Sequence, residues 1–198
     1  EEINDKEFSK YLALGFDYFV NDAFSCSHRK HSSTVGVASF LPSFMGTHLE
    51  KEINALESVL NNPNKPVAAI IGGSKVSTKI NIFHNLINFC DVIAIGGAMA
   101  NTFLKSKKIN IGKSFYEENF IATASDIMER SVQKNCKIIL PVDGVCADNL
   151  NSQTNIRECD INNVYNNQMI FDVGSKTINL LSKYILKSQM ILWNGPLG

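Results

Sequence analysis

Gly72, Gly73, Lys75 and Lys79, within the stretch PVAAIIGGSKVSTK over 66–79, are the residues whose types and spacing best suit chemistry. An apolar run stops at two glycines and restarts as a helical pattern carrying two lysines. Glycine allows a turn with positive φ, and amide N–H groups left free at a helix N-terminus bind anions. Lys75 and Lys79 are four residues apart and are expected on one helix face. Cations in a first turn oppose the helix macrodipole by roughly 0.3–1 kcal/mol each unless an anion lies between them. A phosphate group fits that description. The competing reading is a solvated basic helix face behind an ordinary β-to-α turn.

A second polar tract runs over 21–33, with His28, Arg29, Lys30 and His31 in succession. Most charge runs are solvated loops, yet this one follows a short apolar strand, where α/β proteins place ligands. Other motifs fail on inspection. The first glycine turn is neither G-x-G-x-x-G nor a P-loop, and Ser175 in GSKT is more economically a helix N-cap. The cysteines and histidines lack zinc spacing, no G-x-S-x-G elbow occurs, and His84 is read as a structural or surface residue.

The elements that must position these residues follow from periodicity. A helix is expected from Asn4 to Gly15, with Glu7 completing a capping box, then a strand over 18–20. Met45, Leu49, Ile53, Leu56 and Leu60 recur at three and four, marking a helix over 44–61 that Pro63 and Pro66 stop. Strands are expected over 67–71 and 91–95 and helices over 76–89 and 98–105. The second strand also ends in two glycines, Gly96 and Gly97. Parallel neighbours would bring both glycine turns to one sheet edge, the usual place for a ligand. Helices over 118–133 and 175–186 and strands over 137–140, 168–171 and 190–193 complete an alternation that predicts a mostly parallel, doubly wound α/β sheet. The Asn-rich stretch 149–167 reads as loop plus edge structure.

Hydrophobic residues make up 44% of the 198, and the formal net charge is zero. That balance disfavours a nucleic-acid binder resting on a basic surface. Five scattered cysteines without a C-x-x-C pair suit reduced thiols in a cytosol. No apolar run approaches the roughly 20 residues of a membrane span, and no secretion signal opens the chain. The absence of an initiator Met and a last strand that ought to lead onward predict a piece of a longer protein.

The colinear order VNDAF, HR and HSS over 21–33, GGSKVSTKI over 72–80, IGGAMANTFLK over 95–105, IG at 111–112, LPVD over 140–143 and WNGPLG over 193–198 resembles the phosphoglycerate kinase family across the whole chain. The resemblance implies two Rossmann-like, doubly wound parallel-sheet lobes joined by a helix, both incomplete here. In that scheme 1–43 ends the N-terminal lobe that binds 3-phosphoglycerate, 44–65 is the interdomain helix and linker, and 66–198 begins the C-terminal nucleotide lobe. His28 and Arg29 match the basic patch that holds the glycerate substrate, Arg29 with a catalytic share. Gly73, Lys75 and Lys79 match the nucleotide-phosphate motif, Gly97 the turn beside the adenosine, and Asn194, Pro196 and Gly198 a turn lining the nucleotide site. The family's Gly-Thr-Ala before His-Arg is Ser25-Cys26-Ser27 here, Ala98 replaces a third glycine, and Thr78 stands where many members carry an acid near the metal. No protein metal ligand is therefore named, and Mg2+ is expected with ATP or ADP.

The implied reaction is reversible phosphoryl transfer between 1,3-bisphosphoglycerate and ADP, giving 3-phosphoglycerate and ATP. It needs positioning and positive charge rather than a covalent nucleophile. Lys75 is expected to follow the migrating group catalytically while Lys79 grips the nucleotide. By the same resemblance, acidic and basic residues of the early first lobe and a later GGGDT segment are missing, so these 198 residues alone are expected to be inactive. The full-length protein is expected to be a cytoplasmic monomer. The rival readings are a non-catalytic nucleotide- or phosphate-binding α/β module and, less well supported, a Rossmann oxidoreductase.

Overall fold

A computed structural model describes residues 1–61, 63–151 and 155–198, with the side chains of 59–61 also left aside. Leu60 of the expected helix face, Asn62 of its stop signal and residues 152–154 of the Asn-rich stretch thus lie outside what is described. The chain divides into two compact units, Glu1–Asn62 and Pro63–Gly198.

The first unit opens with α1 (Lys6–Ala13). Its N-cap is Asp5, whose carboxylate accepts from the Phe8 amide at 2.7 Å, and not Asn4, which takes φ +55° ahead of the helix. Strands β1 (Phe19–Asn21) and β2 (Ser43–Met45) pair in parallel. Met45 therefore belongs to a strand and not to the helix expected from 44, because α2 (Thr47–Asn61) starts where Asp22 can cap it. Asp22 accepts from the amides of His48 and Leu49 at 2.7 and 2.9 Å. On α2, Leu49 is buried and Leu56 exposed, so the expected stripe is only partly covered.

In the second unit β3 (Val67–Ile71) is buried at every position, as expected of a central parallel strand. The chain continues through α3 (Ile80–Leu86), β4 (Val92–Ile95), α4 (Ala98–Ser106), α5 (Ile121–Gln133), β5 (Lys137–Ile139), β6 (Asp143–Ala147), β7 (Arg157–Asp160), β8 (Met169–Val173), α6 (Ser175–Ile185) and β9 (Met190–Asn194). The main sheet has the order β5-β4-β3-β9 and is parallel throughout. Val67, Ala69 and Ile71 face Phe83, Met99, Phe103 and Ile127, whereas Ile70 and Ala94 face Leu181 of α6. Helices thus cover both faces, with each fully buried Ile or Phe worth about 1.5–3 kcal/mol.

Two expectations are corrected. The strand expected over 168–171 does not join the parallel sheet. Instead β6 pairs antiparallel with β7 and β8 in a separate sheet of order β7-β6-β8, which the Asn-rich stretch supplies with its edge strand. Ser175 does not cap α6. Gly174 holds the cap position; the helix's first amide, from Ser175, goes to Glu158 of β7 at 2.7 Å, and the next two, from Lys176 and Thr177, go to Asp143 of β6, both at 2.8 Å.

Candidate functional site

Strands β4, β3 and β9 run side by side in parallel, so their C-terminal ends meet at one edge, with Ile71 in register with both Ile95 and Asn194. Three glycine turns leave that edge and interlock. The Gly72 amide donates to the Asn194 carbonyl and the Gly97 amide to the Leu197 carbonyl, while the Met99 amide at the start of α4 donates to the Gly73 carbonyl. Gly97 has φ +66°, and a Cβ there would lie 2.5 Å from the Gly73 carbonyl oxygen. Gly72 has no positive φ. It is glycine because the Pro196 carbonyl oxygen passes where its Cβ would stand, 1.7 Å away.

The two lysines do not share a helix face, contrary to expectation. Residues 74–79 form a turn, α3 begins only at Ile80, and Lys79 is its N-cap. Lys75 is exposed. Lys79 is half-buried and donates from Nζ to the Gly72 carbonyl at 2.6 Å and to the Asn194 side-chain oxygen at 2.5 Å. Burial pulls its pKa below the ordinary lysine value. Thr78 is exposed and bonds the Lys75 carbonyl at 2.9 Å.

Beside the turns lies a cavity of about 460 Å³ lined by Gly73, Gly97, Pro196 and Gly198 together with Asn101, Phe115 and Met169 to Phe171. That size is within the range of small-molecule sites. The β8 wall and Phe115 escaped the sequence reading, because they are brought in by chain folding from more than a turn away. Asn101 left a signal: an amide side chain within the apolar run Ala98–Leu104 that only Thr102 also interrupts, buried, its amide spent on the Phe115 carbonyl. A larger cavity of about 800 Å³ beside edge strand β5 is lined by none of the glycine-turn residues.

In the first unit, His28 and Arg29 are exposed on the loop after β1. That loop is shaped by Asn21, which accepts from the Ala23 amide and donates to Ser27 Oγ, and by Thr34, whose hydroxyl donates to the Arg29 carbonyl at 2.7 Å. Gly73, Lys79, Gly97, Asn194, Pro196 and Gly198 are brought together in the second unit, while Lys75 is exposed within the 74–79 turn and does not line the cavity. His28 and Arg29 stand in the first.

Among the described residues no group of three His, Cys, Asp or Glu side chains gathers to hold a metal, and no helix is long and apolar enough to cross a membrane.

The family model for phosphoglycerate kinase matches residues 1–198. The chain is 48% identical over all its residues to a phosphoglycerate kinase of Mesorhizobium japonicum and 46% identical to one of Granulibacter bethesdensis, and in each case it covers 50% of the relative. Among solved structures, phosphoglycerate kinase from Coxiella burnetii superposes with a TM-score of 0.85 at 41% identity, covering 100% of this chain and 51% of that one. The enzyme from Pyrococcus horikoshii gives 0.79 at 27%, covering 96% and 48%. The chain thus spans about half the length of the curated relatives it matches, and from its first residue to its last it belongs to the phosphoglycerate kinase family.

Proposed function

We propose that the whole protein of which these residues are part transfers a phosphoryl group reversibly between the acyl phosphate of 1,3-bisphosphoglycerate and ADP. The interlocked glycine turns carry this reading: together with a constrained ammonium and an adjoining cavity they converge at the ends of three parallel strands. Gly73 admits phosphate oxygens to the backbone, Lys79 grips the nucleotide's terminal phosphates, and Lys75 follows the migrating group. Gly97 and the turn at Asn194, Pro196 and Gly198 border the nucleoside. Arg29, whose planar guanidinium can grip a carboxylate or phosphate with two bonds, acts with His28 on the glycerate substrate.

A loose, in-line transition state asks only for alignment and charge, which two lysines and turn amides supply. The donors at the turns suit phosphate oxygens and offer no carboxylate cluster to a metal. Bound to the nucleotide's phosphates, Mg2+ would supply further positive charge beside Lys75 and Lys79. The division proposed is 1–43 for the end of the glycerate lobe, 44–65 for the connecting helix and linker, and 66–198 for the start of the nucleotide lobe. The whole protein is proposed to act in the cytoplasm as a monomer.

A coupled assay of the intact natural chain containing these residues, run beside ADP calorimetry, tests the reading. Phosphoryl transfer with ADP binding supports it. ADP binding without transfer marks a non-catalytic nucleotide module, and loss of both refutes the site.

A further inference from the structure

The turn over 74–79 carries both lysines, yet its two ends are held by different partners. Lys79 is tied to Gly72 and Asn194. The apex is tied to Glu117, forty residues further on: the Ser77 amide donates to one carboxylate oxygen at 3.0 Å and the Ser77 hydroxyl to the other at 2.6 Å. Glu117 is itself mounted on the core, because its amide donates at 3.1 Å to the hydroxyl of Thr102, a fully buried residue of α4. Among the described residues, Glu117 is the only side chain of another element that hydrogen-bonds the 74–78 segment. Burial disfavours its charge, but the bonds from Ser77, the nearby Val76 amide and the field of Lys75 outweigh burial and hold the carboxyl below its ordinary pKa.

A carboxylate beside a phosphate cradle weakens the positive field that attracts the ligand. Attraction of an anionic ligand therefore gives no reason for Glu117 to be there, and the two-point grip on Ser77 does. Lys75 lies two residues before Ser77, exposed, with only its own turn to direct it. We propose that Glu117 is a positioning residue for Lys75: by clamping Ser77 it fixes the apex of the turn, and so the direction in which Lys75 meets the transferring phosphoryl group. Lys79, anchored separately, is left to hold the nucleotide. The inference rests on the kinase reading of the same site.

The test uses Glu117→Gln and Ser77→Ala in the intact natural chain. Glu117→Gln keeps the side chain's size but turns one acceptor into a donor. It is expected to lower kcat about tenfold or more, as loss of alignment does. The ADP dissociation constant is expected to change less than about twofold, because the Lys79 contacts are untouched. Ser77→Ala should give a smaller loss, and the double variant should be no worse than Glu117→Gln alone. A fall in melting temperature with unchanged kcat per folded molecule, or a loss confined to ADP affinity, overturns the proposal. If Glu117→Gln does not fold, Ser77→Ala carries the same comparison of kcat with ADP affinity. If the wild-type chain transfers no phosphoryl group, the kinase reading fails by itself, and the clamp is judged by lysine acylation followed by peptide mass spectrometry. A Lys75-to-Lys79 labelling ratio altered in Glu117→Gln supports the clamp; a ratio equal to wild type overturns it.

Discussion

Lys79 Nζ lies 2.5 Å from the side-chain oxygen of Asn194, a residue 115 positions later in the chain. With the Gly72 carbonyl at 2.6 Å, this contact ties the turn after β3 to the end of β9. Both acceptors are neutral, so the ammonium is oriented without being neutralised, the state in which it attracts phosphate most strongly.

Asn194→Ala is expected to release Lys79 and weaken ADP binding by about tenfold, the scale of one hydrogen bond to a charged group. Isothermal calorimetry on the intact chain measures it. An unchanged dissociation constant would show that Lys79 needs no support from β9.

Lys75→Ala should behave differently, since Lys75 stands exposed at the turn, whereas Lys79 is anchored to Gly72 and Asn194. Turnover in the intact chain should fall by about a hundredfold or more while ADP affinity stays nearly constant, the signature of a contact made in the transition state. Equal losses in both would reassign Lys75 to ground-state binding.

Gly97→Ala tests the packing of the turns. A residue at φ +66° costs about 1–2 kcal/mol, and the Gly73 backbone 2.5 Å from the new Cβ must also shift. Urea unfolding of the second unit should show a loss of about 2–4 kcal/mol. A loss below about 1 kcal/mol would mean that the turns can part without cost.

What could be read in the chain, and what could not, divides along the range of the interaction. The run 67–71 is apolar throughout and Gly72-Gly73 and Gly96-Gly97 repeat one design, so the parallel strands and their shared edge were legible from local pattern. The antiparallel sheet was not, because β7 is short and polar and carries no apolar alternation. The shared helix face for Lys75 and Lys79 failed for a related reason. Four-residue spacing specifies a face only where the helix exists, and Ser77 at the apex is drawn instead to Glu117. Ser175 likewise lost the capping role to Asp143, a residue from another element.

That cap makes the second unit sensitive to acid. Burial raises the Asp143 pKa, but the Thr177 hydroxyl and the amides of Lys176 and Thr177 outweigh burial and hold the carboxyl below its ordinary value in the folded state. A depressed folded pKa contributes stability above the unfolded value, and this is lost as pH falls through the folded one. Urea midpoints should therefore decline below about pH 4, and Asp143→Asn should flatten that decline while lowering stability at neutral pH. A parallel decline in both proteins would remove Asp143 from the cause.

The two units should also differ in how firmly these 198 residues fold without further chain. In the first, the buried apolar side chains among the described residues are Ala13, Val37 and Leu49, whereas Tyr11, Phe16, Tyr18 and Phe44 are each more than half exposed. Its sheet has only two strands, too few for independent stability, and about 60 residues bury little of their surface. The second unit instead sets Phe83, Met99 and Phe103 against a four-stranded sheet. Hydrogen exchange on the 198-residue polypeptide should accordingly protect β3 and β4 strongly and leave β1 and β2 close to unprotected. The loop that bears His28 and Arg29 follows β1, so loosening there would scatter the groups proposed to hold the glycerate. The coupled assay on this polypeptide should then show negligible turnover. Uniform protection across both units, or normal turnover, would mean that the exposed aromatics find cover within these residues themselves.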